Sequence, residues 1–375
     1  MINFFNNLNV FYHDRLVGTL SLAEGNCIAF EYDSEWIENG FSISPFSLPL
    51  EKRVFIPKYD EPFFGLFGVF YDSFPLAKFV FADRVLLKNN LDPTGIDNLN
   101  RLVVVGESGM GALTYKPENE FEFASIGYDY NKIVHDFSEI FETQGCDDLG
   151  KLYKLKSAKT SRTIVFKKID NEEWIIKFPL LYELKHGAEN EYKYSLCAKE
   201  CGINMPETGF FRSDTGPGFF GIKRFDRKNG KKIHTISATA LLELGTANQL
   251  NWNFDYNDLM KFTLELTHDF KDIEQLYKLM CFNVFAHNFD DYGKNFSFIY
   301  DEDKKEWHLA PAYDLTFSYS LRMRHCIKVN GEDRNPTLDD ILAVAKNIGI
   351  EEKQAKDIAL DIKEKCLPLL DLPRY

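Results

Sequence analysis

His287-Asn288-Phe289-Asp290-Asp291-Tyr292-Gly293-Lys294-Asn295-Phe296 is the stretch whose reading decides the fold. Its informative feature is a spacing: Asp290, four residues, Asn295, and then Asp314 further along the chain. Transfer of a phosphoryl group to a hydroxyl needs few parts. A carboxylate accepts the hydroxyl proton, an amide oxygen and a second carboxylate hold magnesium against the phosphates, and a lysine neutralises the phosphate tail. Residues 296–300 and 307–309 read as a hairpin around the polar turn 301–305, which carries the chain back so that Asp314 faces Asn295. Lys294 adds a cation where a γ-phosphate would lie.

Protein kinases carry an Asp five positions before an Asn, with the magnesium Asp downstream. The upstream parts occur here in kinase order as well. Lys177 lies on a predicted strand, 173–178, and Glu191 on the helix that follows, 186–201, which Gly202 is placed to end. Each match alone is weak. Asp-x4-Asn arises often by chance, a strand lysine commonly faces solvent, and a helix glutamate is commonly a surface charge. The ordered set carries the argument.

Around this centre the chain reads as α+β: a bilobal, kinase-like fold with a β-rich N-terminal subdomain and a mainly helical C-terminal lobe. Residues 1–120 are predicted β-rich, with strands in 9–22 about the turn His13-Asp14-Arg15, in 27–32, and in the apolar run 102–105. The glycine-broken stretch 63–70 reads as a buried loop or helix entry. Residues 121–235 form the region with the lysine strand and a further strand, 219–225, and the polar tract 116–150 reads as a connector. Residues 236–375 turn helical at 238–244, 256–270 and 273–286. Thr337-x-x-Asp340 resembles a capping box, and Ala355, Ile358, Ala359 and Ile362 recur at helical spacing. In the 186–201 helix, Ala188, Tyr192, Leu196 and Cys201 are expected to share the apolar face. Lys151, Lys154, Lys156, Lys159, Arg162, Lys167 and Lys168 fall in a stretch without a single acid. It reads either as a solvated hairpin or as a loop over phosphates with Lys159 facing them.

Two motifs are set aside. Gly216-Pro217-Gly218-Phe219-Phe220-Gly221 matches GxGxxG but precedes a strand, so it reads as a hairpin turn. Gly106-Glu107-Ser108-Gly109-Met110 lacks both the last glycine and the helix of a nucleophile elbow. Cys197 and Cys201, four apart with His186 upstream, have ligand-like spacing but read as small side chains packing on a helix face.

The net charge of −13 argues against sequence-independent DNA binding by this chain alone. Seven cysteines, an odd number with no CxxC pair, fit a reduced cytoplasmic chain. No apolar stretch approaches the roughly 20 residues of a membrane span, and residues 1–25 do not read as a signal peptide.

The chain resembles the HipA-like serine/threonine kinases of bacterial type II toxin–antitoxin systems. The likeness is carried by 287–298, by Leu309-Ala310-Pro311-Ala312-Tyr313-Asp314-Leu315, by Lys223-Arg224-Phe225-Asp226-Arg227, and by Glu189-Asn190-Glu191-Tyr192 with 202–207. Residues 67–75, Gly109-Met110-Gly111-Ala112-Leu113-Thr114-Tyr115 and Val329-Asn330-Gly331 extend it over nearly the whole chain. The resemblance implies an ATP- and magnesium-binding kinase with Asp290 as catalytic base, Asn295 and Asp314 as metal ligands and Lys177 as phosphate lysine. Glu191 would pair with Lys177, Lys223, Arg224 and Phe225 would present backbone groups to adenine, and Tyr292, Lys294, Tyr313 and Lys159 would border the nucleotide. It also implies a HipB-like helix-turn-helix antitoxin as partner, DNA association only through it, no membrane, and a protein substrate in translation such as an aminoacyl-tRNA synthetase. The chain departs from the family pattern at the N-terminal stretch Phe74-Pro75-Leu76-Ala77-Lys78-Phe79, and two further departures bear on the nucleotide. Tyr292 stands where the family commonly has histidine, and 154–163 contains no glycine, with Ser157, Thr160 and Ser161 as the hydroxyls available for self-phosphorylation. They keep open a non-catalytic reading, an ATP-binding corepressor acting with the antitoxin. A small-molecule phosphotransferase is the third alternative.

Overall fold

The computed structural model describes residues 5–57, 63–74, 92, 95–107, 109–117, 164–177, 186–212, 218–245, 254–317 and 323–373. Lys159, the rest of 151–163, Ser108 and most of the 116–150 connector lie outside the described residues. The chain divides into two compact units, one formed by 1–189 and 209–234, the other by 190–208 and 235–374.

Unit 1 contains two antiparallel sheets. In the first, β1 (Asn7–Tyr12), β2 (Arg15–Leu22), β3 (Ile28–Tyr32), β4 (Val54–Phe55) and β5 (Leu113–Lys116) are ordered β4-β3-β2-β1-β5. Leu8, Val10 and Tyr12 alternate inward along β1 while Asn7 and Asn9 face out, the period-2 pattern of a sheet with one wet face. Helix α1 (Ser34–Asn39) follows β3, and α2 (Gly68–Tyr71) realises the helix entry expected near 63–70.

The apolar run 102–105 is a correction: it is the end of helix α3 (Asn98–Val105), not a strand. Asp97 caps it by accepting from Asn100 N, and every residue from Leu99 to Val105 is buried. A helix buried all round shows no amphipathic period, so four apolar residues with three valines imitate a core strand.

The second sheet orders β6 (Ile164–Ile169), β7 (Glu172–Lys177), β8 (Thr208–Phe211) and β9 (Phe219–Lys223) as β6-β7-β9-β8. The GxGxxG match runs into strand β9 from Phe219, not into a helix, and its Gly216-Pro217 lie outside the described residues. Gly106 likewise closes α3 at φ 49°, so the GESGM segment follows a helix, where a nucleophile elbow would follow a strand. Short strands β10 (Arg227–Lys228) and β11 (Lys231–Lys232) complete the unit.

Helix α4 (Gly187–Glu200) ends as expected at Gly202, whose φ is +71° and whose N–H bonds Lys199 O while Ile203 N reaches Ala198 O. Its buried face is a second correction. Ala188, Glu191, Tyr194, Ser195, Ala198 and Cys201 point inward, whereas Leu196 is 39% exposed. A strict i+4 series drifts off a 3.6-residue helix; the buried series advances by three and four.

Unit 2 contains strand β12 (Thr235–Ser237) running into α5 (Ala238–Leu241), then helices α6 (Tyr256–Thr267) and α7 (Phe270–Phe285). The expected hairpin is β13 (Ser297–Asp301) and β14 (Glu306–Leu309), with sheet order β12-β13-β14. Helix α8 (Leu338–Ile348) starts at the Thr337–Asp340 capping box, and α9 (Glu352–Leu370) packs against α7. Strands dominate unit 1 and helices unit 2, the α+β organisation read from the sequence. No helix among the described residues is long and apolar enough to cross a membrane.

Candidate functional site

The segment carrying Asp290 emerges from α7. Asp269 caps the start of that helix, and His287, at φ 55°, turns the chain away from its end. Asn288 fixes the exit: its N–H donates to Asn283 O and its Nδ2 to Asn283 Oδ1 at 3.0 Å. Asn283 Nδ2 donates to Tyr256 Oη, and Tyr256 Oη donates to Asp291 Oδ2 at 3.0 Å. Asp291, 0% exposed, also accepts from His325 Nδ1 at 3.0 Å and from Cys326 N at 2.7 Å. Burial, and then the Asp291 charge, push the Tyr256 phenol well above its ordinary pKa, so it remains a donor.

Asp291 therefore anchors the segment while its neighbour Asp290 is exposed. A buried carboxylate with donors from three directions is held firmly, and removing it strands each of them. Asp291, Tyr256 and His325 were not picked out from the sequence. The Asp-Asp doublet was the available signal, since neighbours in a loop can face opposite ways.

Gly293–Asn295 forms one tight turn. A Cβ on Gly293 would lie 2.6 Å from Thr239 Oγ1, so only glycine lets the turn approach α5 this closely. Asn295 Nδ2 donates to the Asp290 carbonyl at 2.7 Å. A carbonyl oxygen only accepts, so the amide orientation is set by chemistry. Asn295 Oδ1 is left buried with no hydrogen-bond partner. Such an oxygen costs about 1–3 kcal/mol unless something fills its coordination.

Tyr313 ties the Asp314 segment to this turn. Its hydroxyl donates to Lys294 O at 2.6 Å and receives the Ser297 hydroxyl at 2.5 Å. Asp314 follows in left-handed backbone at φ 59°, a conformation aspartate tolerates better than most residues but one that stores strain. Burial, followed by the Asp314 and Asp290 charges, raises the Tyr292 pKa far above its usual value, which places both carboxylates near one neutral phenol. Hard oxygen donors of this kind, an amide oxygen and a carboxylate, are what magnesium takes. Lys294 is 1% exposed, so its ammonium lies inside the unit rather than on its surface.

Glu191, also 1% exposed, is not the surface charge that a helix glutamate commonly is. In unit 1, Lys177 is 6% exposed, pairs across the sheet with Ile164 and Phe220, and holds Nζ 5.6 Å from the Phe220 ring centre. Lys223 instead pairs with Glu172 at 3.1 Å near the surface.

Arg224, between β9 and β10, is tied into unit 1. Its guanidinium is committed to Asp226 in a two-pronged contact, 2.8 and 2.6 Å, and its N–H is taken by Glu173 O. Of the backbone groups expected to face adenine, the Arg224 N–H is engaged within unit 1. Burial alone would raise the Asp226 pKa; Arg224 and Arg227 more than offset it and hold the carboxyl at about 2. Phe225 is half-buried.

The HipA N-terminal domain family matches residues 8–116, and the HipA-like C-terminal domain family matches residues 150–368. The chain belongs to the HipA-like family. Among HipA-like relatives, the Sinorhizobium fredii protein named "Putative kinase Y4mE" is 25% identical over 338 residues, 82% of this chain and 76% of that protein. Among solved structures, HipA from the Shewanella oneidensis MR-1 complex of HipA, HipB and operator DNA superposes with a TM-score of 0.69 at 16% identity. It covers 98% of this chain and 92% of that one, so the HipA fold extends through both units.

Proposed function

We propose that this HipA-like chain is an ATP- and magnesium-dependent serine/threonine protein kinase that serves as the toxin of a toxin–antitoxin pair. The observation that carries the reading is the orphaned Asn295 Oδ1, held in place by the Asp290 carbonyl within the segment that also presents the Asp290 carboxylate. Asn295 Oδ1 and the Asp314 carboxylate would hold the metal, which when bound neutralises charge on the phosphate oxygens. Asp290, exposed while Asp291 is anchored, takes the proton from the attacking hydroxyl. Tyr313, bonded to the Lys294 carbonyl, ties the Asp314 segment to the Asn295 turn, and Lys177 serves as the phosphate lysine. The kinase description of the S. fredii relative supports the reaction class.

The partner is a small helix-turn-helix antitoxin. Support comes from the Shewanella HipA, which occurs with HipB and operator DNA. At a net charge of −13 this chain reaches DNA through a basic partner. The test is incubation of purified chain with labelled ATP, magnesium and cell extract, followed by phosphoamino-acid analysis. Label on serine or threonine of a protein is expected; label only on metabolites contradicts the reading.

One observation favours a second reading, the non-catalytic ATP-binding corepressor: a phenol kept neutral stands at Tyr292. Tight ATP–magnesium binding by calorimetry with no transfer to any extract would select it.

A further inference from the structure

Three cysteines that the chemistry above does not use converge inside unit 2. Cys197 lies on α4 and Cys201 just past its last residue, where its N–H still bonds Cys197 O at 2.9 Å, one turn on along the same face. Cys366 on α9 meets them, and the three sulfurs all lie within 4.8 Å of one another. All three are buried free thiols. The third member is Cys366, not the upstream His186, and it lies 165 positions from Cys201, so sequence spacing could not supply it.

We propose that Cys197, Cys201 and Cys366 form a three-thiolate site for a thiophilic metal ion, of which zinc is the representative. Zinc–sulfur bonds of about 2.3 Å at tetrahedral angles place sulfurs about 3.8 Å apart. Closing from the 4.8 Å limit therefore asks for no more than about 1 Å of inward movement, within reach of small χ1 adjustments. Sulfur donors select zinc and copper(I) over magnesium, so this site and the oxygen donors of Asn295 and Asp314 draw on different ions.

The surroundings suit the charge. Cys197 Sγ donates to Lys365 O at 3.2 Å, so a carbonyl oxygen also lies at the cluster. Three thiolates with one divalent ion leave a single net negative charge. The Lys365 ammonium, next in sequence to Cys366, is held by Glu200 O at 3.0 Å and Asp361 at 2.7 Å. A bound ion would staple α9 to α4.

The test uses full-length chain reduced with a phosphine and kept in excess magnesium, titrated with cobalt(II) and then zinc(II). One cobalt per chain is expected, with thiolate-to-cobalt charge-transfer absorption that zinc abolishes, and an unfolding midpoint that rises with zinc. Cys201→Ala and Cys366→Ala should each weaken cobalt binding by more than about 100-fold, since even outer-shell partners are worth about 10- to 100-fold. Cys27→Ala, in unit 1, should leave binding unchanged. Absence of the charge-transfer band in the wild-type chain, or the same band in Cys366→Ala, overturns the proposal. Should either variant fail to fold, the wild-type spectrum still decides, because three merely packed thiols give no such band.

Discussion

Asn295 Nδ2 donates to the carbonyl of Asp290 at 2.7 Å, and this one bond orients both halves of the candidate chemistry. It fixes the turn that displays the Asp290 carboxylate, and it leaves the opposite end of the amide, Oδ1, buried and available for coordination.

Asn295→Ala removes the donor and the oxygen together. Titration calorimetry should show ATP affinity rising with magnesium in the wild type and losing that dependence in the variant. Stability should fall by only about 1 kcal/mol, the worth of an ordinary hydrogen bond. An Asn295→Ala chain with unchanged magnesium dependence would remove Asn295 from the metal site.

Asp291→Ala leaves His325 Nδ1, Tyr256 Oη and Cys326 N without their acceptor in a dry interior. Urea denaturation should register a loss of about 3–5 kcal/mol, the cost of breaking one side of a buried charged contact. Asp290→Ala, at an exposed position, should cost much less stability. Equal stabilities would show that Asp291 does not anchor the segment.

The Asp290–Asn295 spacing was legible because both residues lie in one short segment, closed by the Asn295–Asp290 bond. Asp291 was not, because its partners are Tyr256 and His325, thirty-five positions before and thirty-four after it, and nothing in a linear reading joins them. The same limit hid Cys366 behind Cys197. Two apolar runs about the polar turn His13-Asp14-Arg15 exposed β1 and β2, and the glycine at 202 marked the end of α4. The 102–105 run failed because complete burial erases the period that separates helix from strand. The Arg224–Asp226 contact was not read from the sequence either, although only two positions separate the pair.

His234 supplies a pH test of unit 1. Burial lowers its pKa from 6.5 to about 4, with the Ile43 carbonyl, 2.8 Å from Nε2, opposing part of that fall. The unfolded chain thus binds the proton near pH 6.5 and the folded chain only near pH 4. Its stabilising contribution is complete above pH 6.5 and is lost as pH falls from 6.5 to 4, by about 3 kcal/mol in all. Urea midpoints measured across that window should decline, and His234→Gln should flatten the decline. A slope identical in the variant would assign it to other groups.

Tyr292→His restores a group that can charge beside Asp290 and Asp314. Those carboxylates favour the protonated ring. ATP affinity of the variant should tighten as pH is lowered from about 8 to about 5, the range in which histidine titrates. The neutral wild-type phenol contributes no such trend. Parallel pH profiles for the two chains would show that position 292 does not sense the nucleotide.

The most direct test of the central claim is the rate of phosphate transfer from labelled ATP to protein, compared between the wild-type chain and Asp290→Asn at saturating ATP and magnesium. Asp290→Asn keeps the shape and the main-chain carbonyl that holds Asn295 but cannot accept the hydroxyl proton. The account predicts intact ATP binding with transfer reduced by about 10²- to 10⁴-fold, the usual worth of a general base. Equal transfer rates in the two chains would contradict it.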